Sequence, residues 1–173
     1  IFTARASKNF QLSASRPSRT FIRMLSLVKK SAAEANMANG VLDRRVGKAI
    51  AQAASEVAEG KFDNQFILDS YTAGAGTPFN MNANEVIANR AEELLGGEKG
   101  QYRLVHPNNH VNMSQSSNDV IPAAIRLTLI HESGSLIAEA ELLASEIEKK
   151  EKEFSGVVKV GRTHLMDAVP LSV

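Results

Sequence analysis

The chain has 173 residues, of which 43% are hydrophobic and 23% charged, and its formal net charge is +1. This composition is typical of one globular domain or a large part of one. The absence of cysteine excludes disulfide frameworks, thiol nucleophiles and cysteine-ligated metal sites. No run of 18 apolar residues occurs in the sequence, so we expect no membrane-spanning segment and no membrane partner.

The charge is distributed unevenly along the chain. The first 33 residues contain seven basic residues and no acidic residue. Such a start resembles a mitochondrial transit peptide or a nucleic-acid-binding patch. However, a helical apolar register already begins at Phe21, and few aromatic residues besides Phe10 and Phe21 are available for stacking on bases. We therefore expect a solvated or partner-facing surface, no nucleic-acid partner and a cytoplasmic protein, with the mitochondrial matrix as the alternative.

Two helices are predicted in the first third of the chain, after a loop at residues 13–18. Apolar spacings of three and four residues predict a helix over residues 19–38, and Gly40 is placed to end it. Asp43 can cap a second helix, which Gly60 closes. The positions expected to be buried are Phe21, Leu25, Val28, Ala32 and Ala35 in the first helix, and Val46, Ile50, Ala53, Ala54 and Val57 in the second.

The next segment changes character. The sequence AGAGTP at residues 73–78 is incompatible with a stable helix or a central strand. Because asparagine is a common capping residue, we expect Asn80, Asn82 or Asn84 to cap a helix of about ten residues that begins near Glu85. The pair Gly96-Gly97 should end that helix.

A polar segment at residues 105–119 precedes the longest predicted helix. Asp119 stands where an N-cap is expected, with Pro122 in the first turn, and one apolar register continues to Phe154. A helix of more than 30 residues is too long to bury its stripe in a small domain, which predicts a bundle shared between chains. After Gly156, a short extended segment leads into GRTH at residues 161–164.

The predicted fold is therefore mainly α. It comprises an N-terminal helical domain over residues 1–118 and, over residues 119–173, the first long helix of a helical-bundle core. Both ends of the sequence look cut, so we expect the chain to be part of a longer protein.

Uncharged hydrogen-bond donors are concentrated in the middle of the chain. A helix N-terminus preceded by Ser116, Ser117 and Asn118 is a good seat for a carboxylate or phosphate, and the glycine-rich residues 74–76 could add backbone N–H groups. The alternative is that these residues only form caps and turns. His164 could act in catalysis, or it could have only a structural role. Arg162 could pair with a substrate carboxylate, or it could form a structural ion pair within the protein. Eight asparagines lie in this region, at 80, 82, 84, 89, 108, 109, 112 and 118.

Three long motifs resemble the aspartase/fumarase superfamily, and the resemblance extends over essentially the whole chain. The first is GAGT at residues 74–77 with NMNANEVIAN at 80–89. The second is VHPNNHVNMSQSSND at residues 105–119, and the third is GRTHLMDAVPL at residues 161–171. The early segments IFTARA at residues 1–6 and Asn9-Phe10 resemble the family too.

The resemblance implies a homotetrameric lyase that eliminates ammonia or water from a C4 dicarboxylate and needs no organic cofactor or catalytic metal. The implied substrates and products are L-aspartate, fumarate and L-malate. The implied carboxylate-binding residues are Thr77, Ser116, Ser117, Asn118 and Thr163, with His164 acting at the leaving-group side.

The resemblance also implies a second dicarboxylate site made by His106, Asn108 and Asn109, although the family usually has Asp at position 109. The family's catalytic base is a serine in a later Gly-Ser-Ser loop, which these 173 residues do not contain.

Two enzyme activities remain open within the family. GAGT at residues 74–77, His110 and Met113 favour aspartate ammonia-lyase, whereas Ser117 favours class II fumarate hydratase. His164 is compatible with both. Outside enzymes, the alternative is a non-catalytic helical oligomer that keeps the fold as a scaffold.

Overall fold

The structure, a computed structural model, describes residues 1–9, 11–13, 15–72 and 74–172. Phe10, Ala14, Ala73 and Val173 lie outside the described residues, so the loop predicted at 13–18 and the glycine-rich segment are described by their other members. The chain divides into two compact units, Ile1–His131 and Glu132–Val173. The domain boundary between residues 118 and 119 stays a prediction.

Most of the secondary-structure elements are helices, and helices supply most of the core, which confirms the predicted mainly α fold class. The first unit contains α1 (Phe2–Asn9), α2 (Arg19–Ala38), α3 (Arg44–Ala58), α4 (Thr77–Leu94), a π-helical turn (Pro107–Val111) and the start of α5 (Ser117–Phe154). The second unit contains the rest of α5 and an antiparallel pair of strands, β1 (Val158–Thr163) and β2 (Met166–Ser172).

Helix α2 has the predicted bounds but a different buried face. Ser18 Oγ accepts a hydrogen bond from Phe21 N at the start, and Gly40 follows the helix with φ +72°. Leu25 is buried as expected, whereas the predicted positions Phe21, Val28 and Ala32 are half-exposed and Ala35 is exposed. The buried residues of α2 are Ile22, Met24, Leu25, Ser26, Lys29, Ala33 and Asn36. The prediction, which followed apolar residues alone, did not find this face because the polar residues Lys29 and Asn36 are part of it.

Helix α3 follows its prediction closely. Asp43 Oδ1 accepts hydrogen bonds from Arg45 N at 2.9 Å and Val46 N at 3.0 Å, so Asp43 is the N-cap. Four of the five predicted core positions, Ile50, Ala53, Ala54 and Val57, have no exposed surface. They form the centre of the first unit's core, against apolar residues of α2 and α4.

Helix α4 begins eight residues earlier than predicted. It starts at Thr77, directly after Gly76, whose φ of +85° only glycine adopts easily. Asn80, Asn82 and Asn84 are therefore buried inside the helix, and the prediction that one of them caps it is wrong. The predicted end is confirmed, since α4 ends at Leu94 and only its C-cap, Leu95, separates it from the two glycines.

Glu92 anchors the segment that connects α4 to the π-helical turn. Its carboxylate is 1% exposed and accepts hydrogen bonds from the backbone N–H groups of Arg103, Leu104 and Val105, the shortest at 2.6 Å. Both carboxylate oxygens accept hydrogen bonds, so the backbone N–H groups of residues 103–105 have partners although this connection has no regular secondary structure.

We expect Glu92→Gln to destabilise this connection by about 2 kcal/mol, because the amide NH2 would face backbone donors and leave at least one of them unpaired. Urea denaturation of the chain measures the loss, and hydrogen exchange at residues 103–105 should become faster. Glu98→Gln is the matched control, since Glu98 is exposed. Unchanged exchange at residues 103–105 in Glu92→Gln would contradict this role.

Helix α5 is 38 residues long, which confirms the overlong helix. It begins at Ser117, so Asp119 lies inside the first turn and is not the N-cap; Ser116 precedes the helix, and its Oγ accepts a hydrogen bond from Asn118 N at 3.2 Å. By length and composition alone, α5 passes a test for membrane-spanning helices, with a mean hydropathy of 1.2 over its most apolar 18 residues. Core helices of soluble proteins pass the same test, so the expectation that the chain has no membrane partner stays a prediction.

The extended segment after Gly156 is confirmed, and it is one strand of a hairpin. Strand β1 pairs with β2 in a register that places Thr163 opposite Met166, which leaves His164 and Leu165 as a two-residue turn. His164 has φ +52°, as the first residue of a tight hairpin turn requires.

Candidate functional site

The first turns of α4 and α5 lie against each other within the first unit. A Cβ atom placed on Gly76 would come within 2.7 Å of Ile121 Cγ2, so the two helix starts are as close as a glycine allows. Four residues further along α4, Asn80 Nδ2 donates a hydrogen bond to Ser117 Oγ at 2.9 Å. This junction brings Thr77, the first residue of α4, to the side of the α5 N-terminus.

The four predicted carboxylate-binding residues of the first unit all lie at this junction. Thr77, Ser116 and Asn118 are exposed, and Ser117 is half-buried. They carry hydroxyl and amide groups at the N-terminal ends of two helices, where the helix dipole favours an anion. Side chains of these types can donate hydrogen bonds to a carboxylate without carrying a charge.

A buried lysine lies behind the junction. Lys29 has no exposed surface, and its Nζ donates to Asn112 Oδ1 and Gln115 Oε1, both at 2.9 Å. Asn112 Oδ1 also accepts from Asn80 Nδ2 at 3.1 Å. Burial lowers the pKa of Lys29 to about 7, because removal from water disfavours the ammonium.

This pKa makes the stability of the first unit depend on pH. The folded-state pKa lies below the unfolded value of 10.5, so the unfolded chain binds more protons between those values. Stability is therefore lost as pH falls toward 7. We expect the free energy of unfolding of the wild-type chain to rise by roughly 2 kcal/mol more than that of Lys29→Met between pH 7 and 9. Urea denaturation at the two pH values tests this, and parallel pH dependence in both proteins would contradict it.

The predicted second dicarboxylate residues occupy the π-helical turn. His106 Nδ1 accepts hydrogen bonds from Asn108 N and Asn109 N, both at 3.2 Å, and so caps the turn. His106 N in turn donates to His110 Nδ1 at 2.9 Å. The pKa of His110 is lowered, mainly by burial and to a smaller extent by the nearby charge of His106. The side chains of Asn108 and Asn109 are exposed. The structure brings these residues together, and their binding role stays a prediction.

Thr163 and His164 belong to the second unit. Both are exposed at the tip of the hairpin, Thr163 as the last residue of β1 and His164 as the first turn residue. The left-handed backbone of His164 is explained by its place in the hairpin turn, so the roles of Thr163 and His164 stay predictions. Within the described ranges, no group of three His, Cys, Asp or Glu side chains is arranged to hold a metal ion.

Sequence reasoning missed the residues that support the junction. It assigned Lys29 to a basic surface and Asn80 to a cap, and it treated Asn112 as part of a polar loop. Some signal was present, because Lys29 follows Ile22 and Leu25 at helical spacing and precedes Ala33 and Asn36. A polar residue on an otherwise buried face is a candidate for an internal network.

Comparison with known proteins identifies the family to which this chain belongs. A family model described as "Lyase" matches residues 1–173, and the chain belongs to this family of lyases. The match confirms the resemblance to the aspartase/fumarase superfamily.

Among curated relatives, the chain is 53% identical over 171 residues to an aspartate ammonia-lyase from Bacillus sp, with 99% of the chain and 36% of the relative covered. It is 48% identical over 172 residues to a class II fumarate hydratase from Brucella suis biovar 1, with 99% of the chain and 37% of the relative covered. The chain thus spans little more than a third of the length of these relatives.

The fold is also that of a solved lyase. A crystal structure titled fumarate lyase:delta crystallin, from Brucella melitensis, matches with a TM-score of 0.83 and 44% sequence identity. The match covers 100% of this chain and 41% of the other.

Proposed function

We propose that this chain is the N-terminal part of a lyase subunit that eliminates ammonia from L-aspartate to give fumarate. The observation that carries the proposal is the junction of α4 and α5, which gathers Thr77, Ser116, Ser117 and Asn118 in a chain 53% identical to an aspartate ammonia-lyase. We call the longer protein that contains this chain the complete subunit.

The reaction needs stabilisation of negative charge. A base removes the proton from the carbon next to one carboxylate, and the electron pair moves onto that carboxylate, which becomes a doubly charged aci-carboxylate. The electrons then form the C=C bond as the C–N bond breaks and ammonia leaves. One well-placed hydrogen-bond donor stabilises such a charge by about 3–4 kcal/mol.

The residue types at the junction suit this task. Serine, threonine and asparagine donate hydrogen bonds without having to titrate, so the seat keeps its donors over a wide pH range. In the proposal, Thr77, Ser116, Ser117 and Asn118 bind the substrate carboxylates. Thr163 adds a further donor and His164 acts at the leaving-group side, as the family resemblance implies.

A second candidate is the hydration of fumarate to L-malate. Ser117 favours it, since the resemblance associates threonine at this position with aspartate ammonia-lyases. The 48% identity to a class II fumarate hydratase supports the same alternative. The two reactions share the carboxylate seat and the anti elimination, and they differ in the leaving group.

The assay that separates the candidates follows fumarate absorbance at 240 nm with the complete subunit. L-aspartate alone should raise it if the proposal is correct, and L-malate alone if the alternative is correct. Absence of a signal with both substrates would remove the enzyme proposal and leave the non-catalytic scaffold. The sequence of the complete subunit discriminates the scaffold too, because a scaffold need not keep the Gly-Ser-Ser loop.

We also propose that the complete subunit works as a cytoplasmic homotetramer. The support for a homo-oligomer is the length of α5 and its apolar surface, which is largely exposed in a single chain. The exposed apolar residues of α5 are Ile125, Leu127, Leu129, Ile130, Leu136, Ile137, Leu142, Leu143, Ile147 and Phe154. A helix of this kind needs partners to cover it. Sedimentation equilibrium of the complete subunit tests the tetramer.

We expect the 173-residue chain to show no turnover of L-aspartate or L-malate by itself. In the family resemblance the base is a serine of a later loop, and that loop is outside this sequence. The measurement is the same absorbance assay, with the complete subunit as the positive control. Turnover by the purified chain above the rate of a mock purification would contradict this expectation.

A further inference from the structure

Lys29 is connected to Ser117, one of the candidate carboxylate-binding residues, through the hydrogen-bonded pair Asn112 and Asn80. Its side chain is fully buried, and its two amide partners, Asn112 and Gln115, are neutral. Helix α2 also contacts the segment that contains Asn112 and Gln115, because Asn36 Nδ2 donates a hydrogen bond to Met113 O at 2.9 Å. A buried amine whose hydrogen-bond partners among the described residues are amide oxygens is costly for stability, so its position calls for a function.

The chemistry of Lys29 fixes the orientation of two amides. An ammonium group only donates hydrogen bonds, so both Asn112 and Gln115 must turn their oxygens toward it. An ammonium has three hydrogens, and a neutral amine still has two. Either form can therefore donate to both oxygens, and the orientation does not depend on the protonation state of Lys29.

The orientation of Asn112 in turn fixes that of Asn80. Asn112 Oδ1 is an acceptor, so the amide group that faces it at 3.1 Å must be Asn80 Nδ2. The same NH2 group donates to Ser117 Oγ at 2.9 Å. Asn80 is 2% exposed, so water does not compete for this contact.

The consequence falls on the Ser117 hydroxyl. Because Asn80 already donates to Ser117 Oγ, the hydroxyl hydrogen cannot point along that contact and must be directed elsewhere. Ser117 is half-buried at the first residue of α5, where the helix dipole attracts an anion. A hydroxyl held in this way is available as a donor to a carboxylate.

We propose that Lys29, Asn112 and Asn80 form a relay that positions Ser117 as a hydrogen-bond donor to the substrate carboxylate. This inference rests on the proposed function and adds positioning residues to it. Lys29 acts through Asn112 and Asn80 without touching the substrate.

A double-mutant cycle in the complete subunit tests the relay. The four proteins are wild type, Lys29→Met, Ser117→Ala and the double variant, and the readouts are kcat, KM and the inhibition constant of succinate, an unreactive dicarboxylate. Lys30→Met is the matched control, because Lys30 is the adjacent lysine of α2 and is half-exposed.

We expect Lys29→Met to lower kcat/KM by about tenfold to hundredfold and to raise the succinate constant, while Lys30→Met has no effect. In the Ser117→Ala background, Lys29→Met should change kcat/KM by less than about threefold, since the donor it positions is already gone. A lysine that only supports the fold would give the same loss in both backgrounds. Equal losses, or an active Lys29→Met variant, overturn the proposal.

If Lys29→Met does not fold, Asn112→Leu and Asn112→Asp replace it. The aspartate keeps an acceptor oxygen for Lys29 and Asn80, so Asn112→Asp should be at least about tenfold more active than Asn112→Leu. Equal activity of the two overturns the relay.

The proposed function and the relay can fail separately. If the wild-type subunit forms no fumarate from either substrate, the proposed function fails. Succinate binding, measured by calorimetry on the same cycle, then decides the relay: non-additive losses support it, and additive or absent losses overturn it.

Discussion

Ser117→Ala in the complete subunit is expected to lower kcat/KM for fumarate formation by about a hundredfold or more. The substitution removes one hydroxyl donor from the candidate seat and leaves Asn80 Nδ2 without its acceptor at 2.9 Å. Loss of one donor to a developing oxyanion typically reduces kcat by a factor of about 10² to 10³. Steady-state kinetics at saturating and limiting substrate separate the effect on kcat from that on KM.

Two further variants show whether the hydroxyl itself is responsible. Ser117→Thr keeps the hydroxyl and is expected to retain activity within about tenfold of wild type. Ser31→Ala removes a serine from the exposed side of α2 and should have no effect. Wild-type activity in Ser117→Ala would contradict the assignment of Ser117 to the seat.

Gly76→Ala is expected to lower the free energy of unfolding by about 2–5 kcal/mol. A left-handed backbone costs a non-glycine residue about 1–2 kcal/mol, and Gly76 has φ +85°. The new Cβ would also come within 2.7 Å of Ile121 Cγ2, and overpacking of this kind costs about 1–3 kcal/mol. Ile121 cannot easily move away, because β-branched side chains have one preferred rotamer in a helix.

Gly40→Ala is the matched control for the backbone term. Gly40 has φ +72°, and nothing lies within 4 Å of the point that an alanine Cβ would occupy there, so it should lose only about 1–2 kcal/mol. Urea denaturation of both variants measures the difference. In the complete subunit, Gly76→Ala should also weaken succinate binding, since it pushes apart the two helix starts. Equal stability losses in the two variants would show that α4 does not abut α5.

The sequence predicted helices best where the buried face is apolar. Helix α3 was predicted with its cap and four of its core positions, because Asp43 and the alanine-rich face follow capping and periodicity rules. Helix α2 was predicted in extent only. Its buried face includes Lys29 and Asn36, and a pattern that counts apolar residues places the face one position away.

The start of α4 shows a second limit. Asparagine is usually a cap or turn residue, so three asparagines in five residues indicated the cap of a helix that begins near Glu85. In the structure they are buried within the helix, where the amide of Asn80 reaches Asn112 and Ser117 and that of Asn82 reaches Gln65 O at 3.0 Å. These bonds connect segments distant in sequence, and no local rule predicts them.

The candidate site was predictable as a set of residues but not as an arrangement. The donors at 116–118 followed from the helix start, and Thr77 followed from the family motif. The contact between Gly76 and Ile121 that joins them is a packing feature of two helices. The direction of the hydrogen bonds at the site could not be predicted either, because it depends on the side-chain contacts of Lys29, Asn112 and Asn80.

In the proposed function, uncharged donors at the starts of α4 and α5 hold a dicarboxylate. A crystal structure of the complete subunit with succinate tests it most directly. We predict one carboxylate oxygen within about 2.6–3.2 Å of Ser117 Oγ, with Thr77 beside it. Succinate bound elsewhere, with the Ser117 hydroxyl donating only to protein atoms, would contradict the claim.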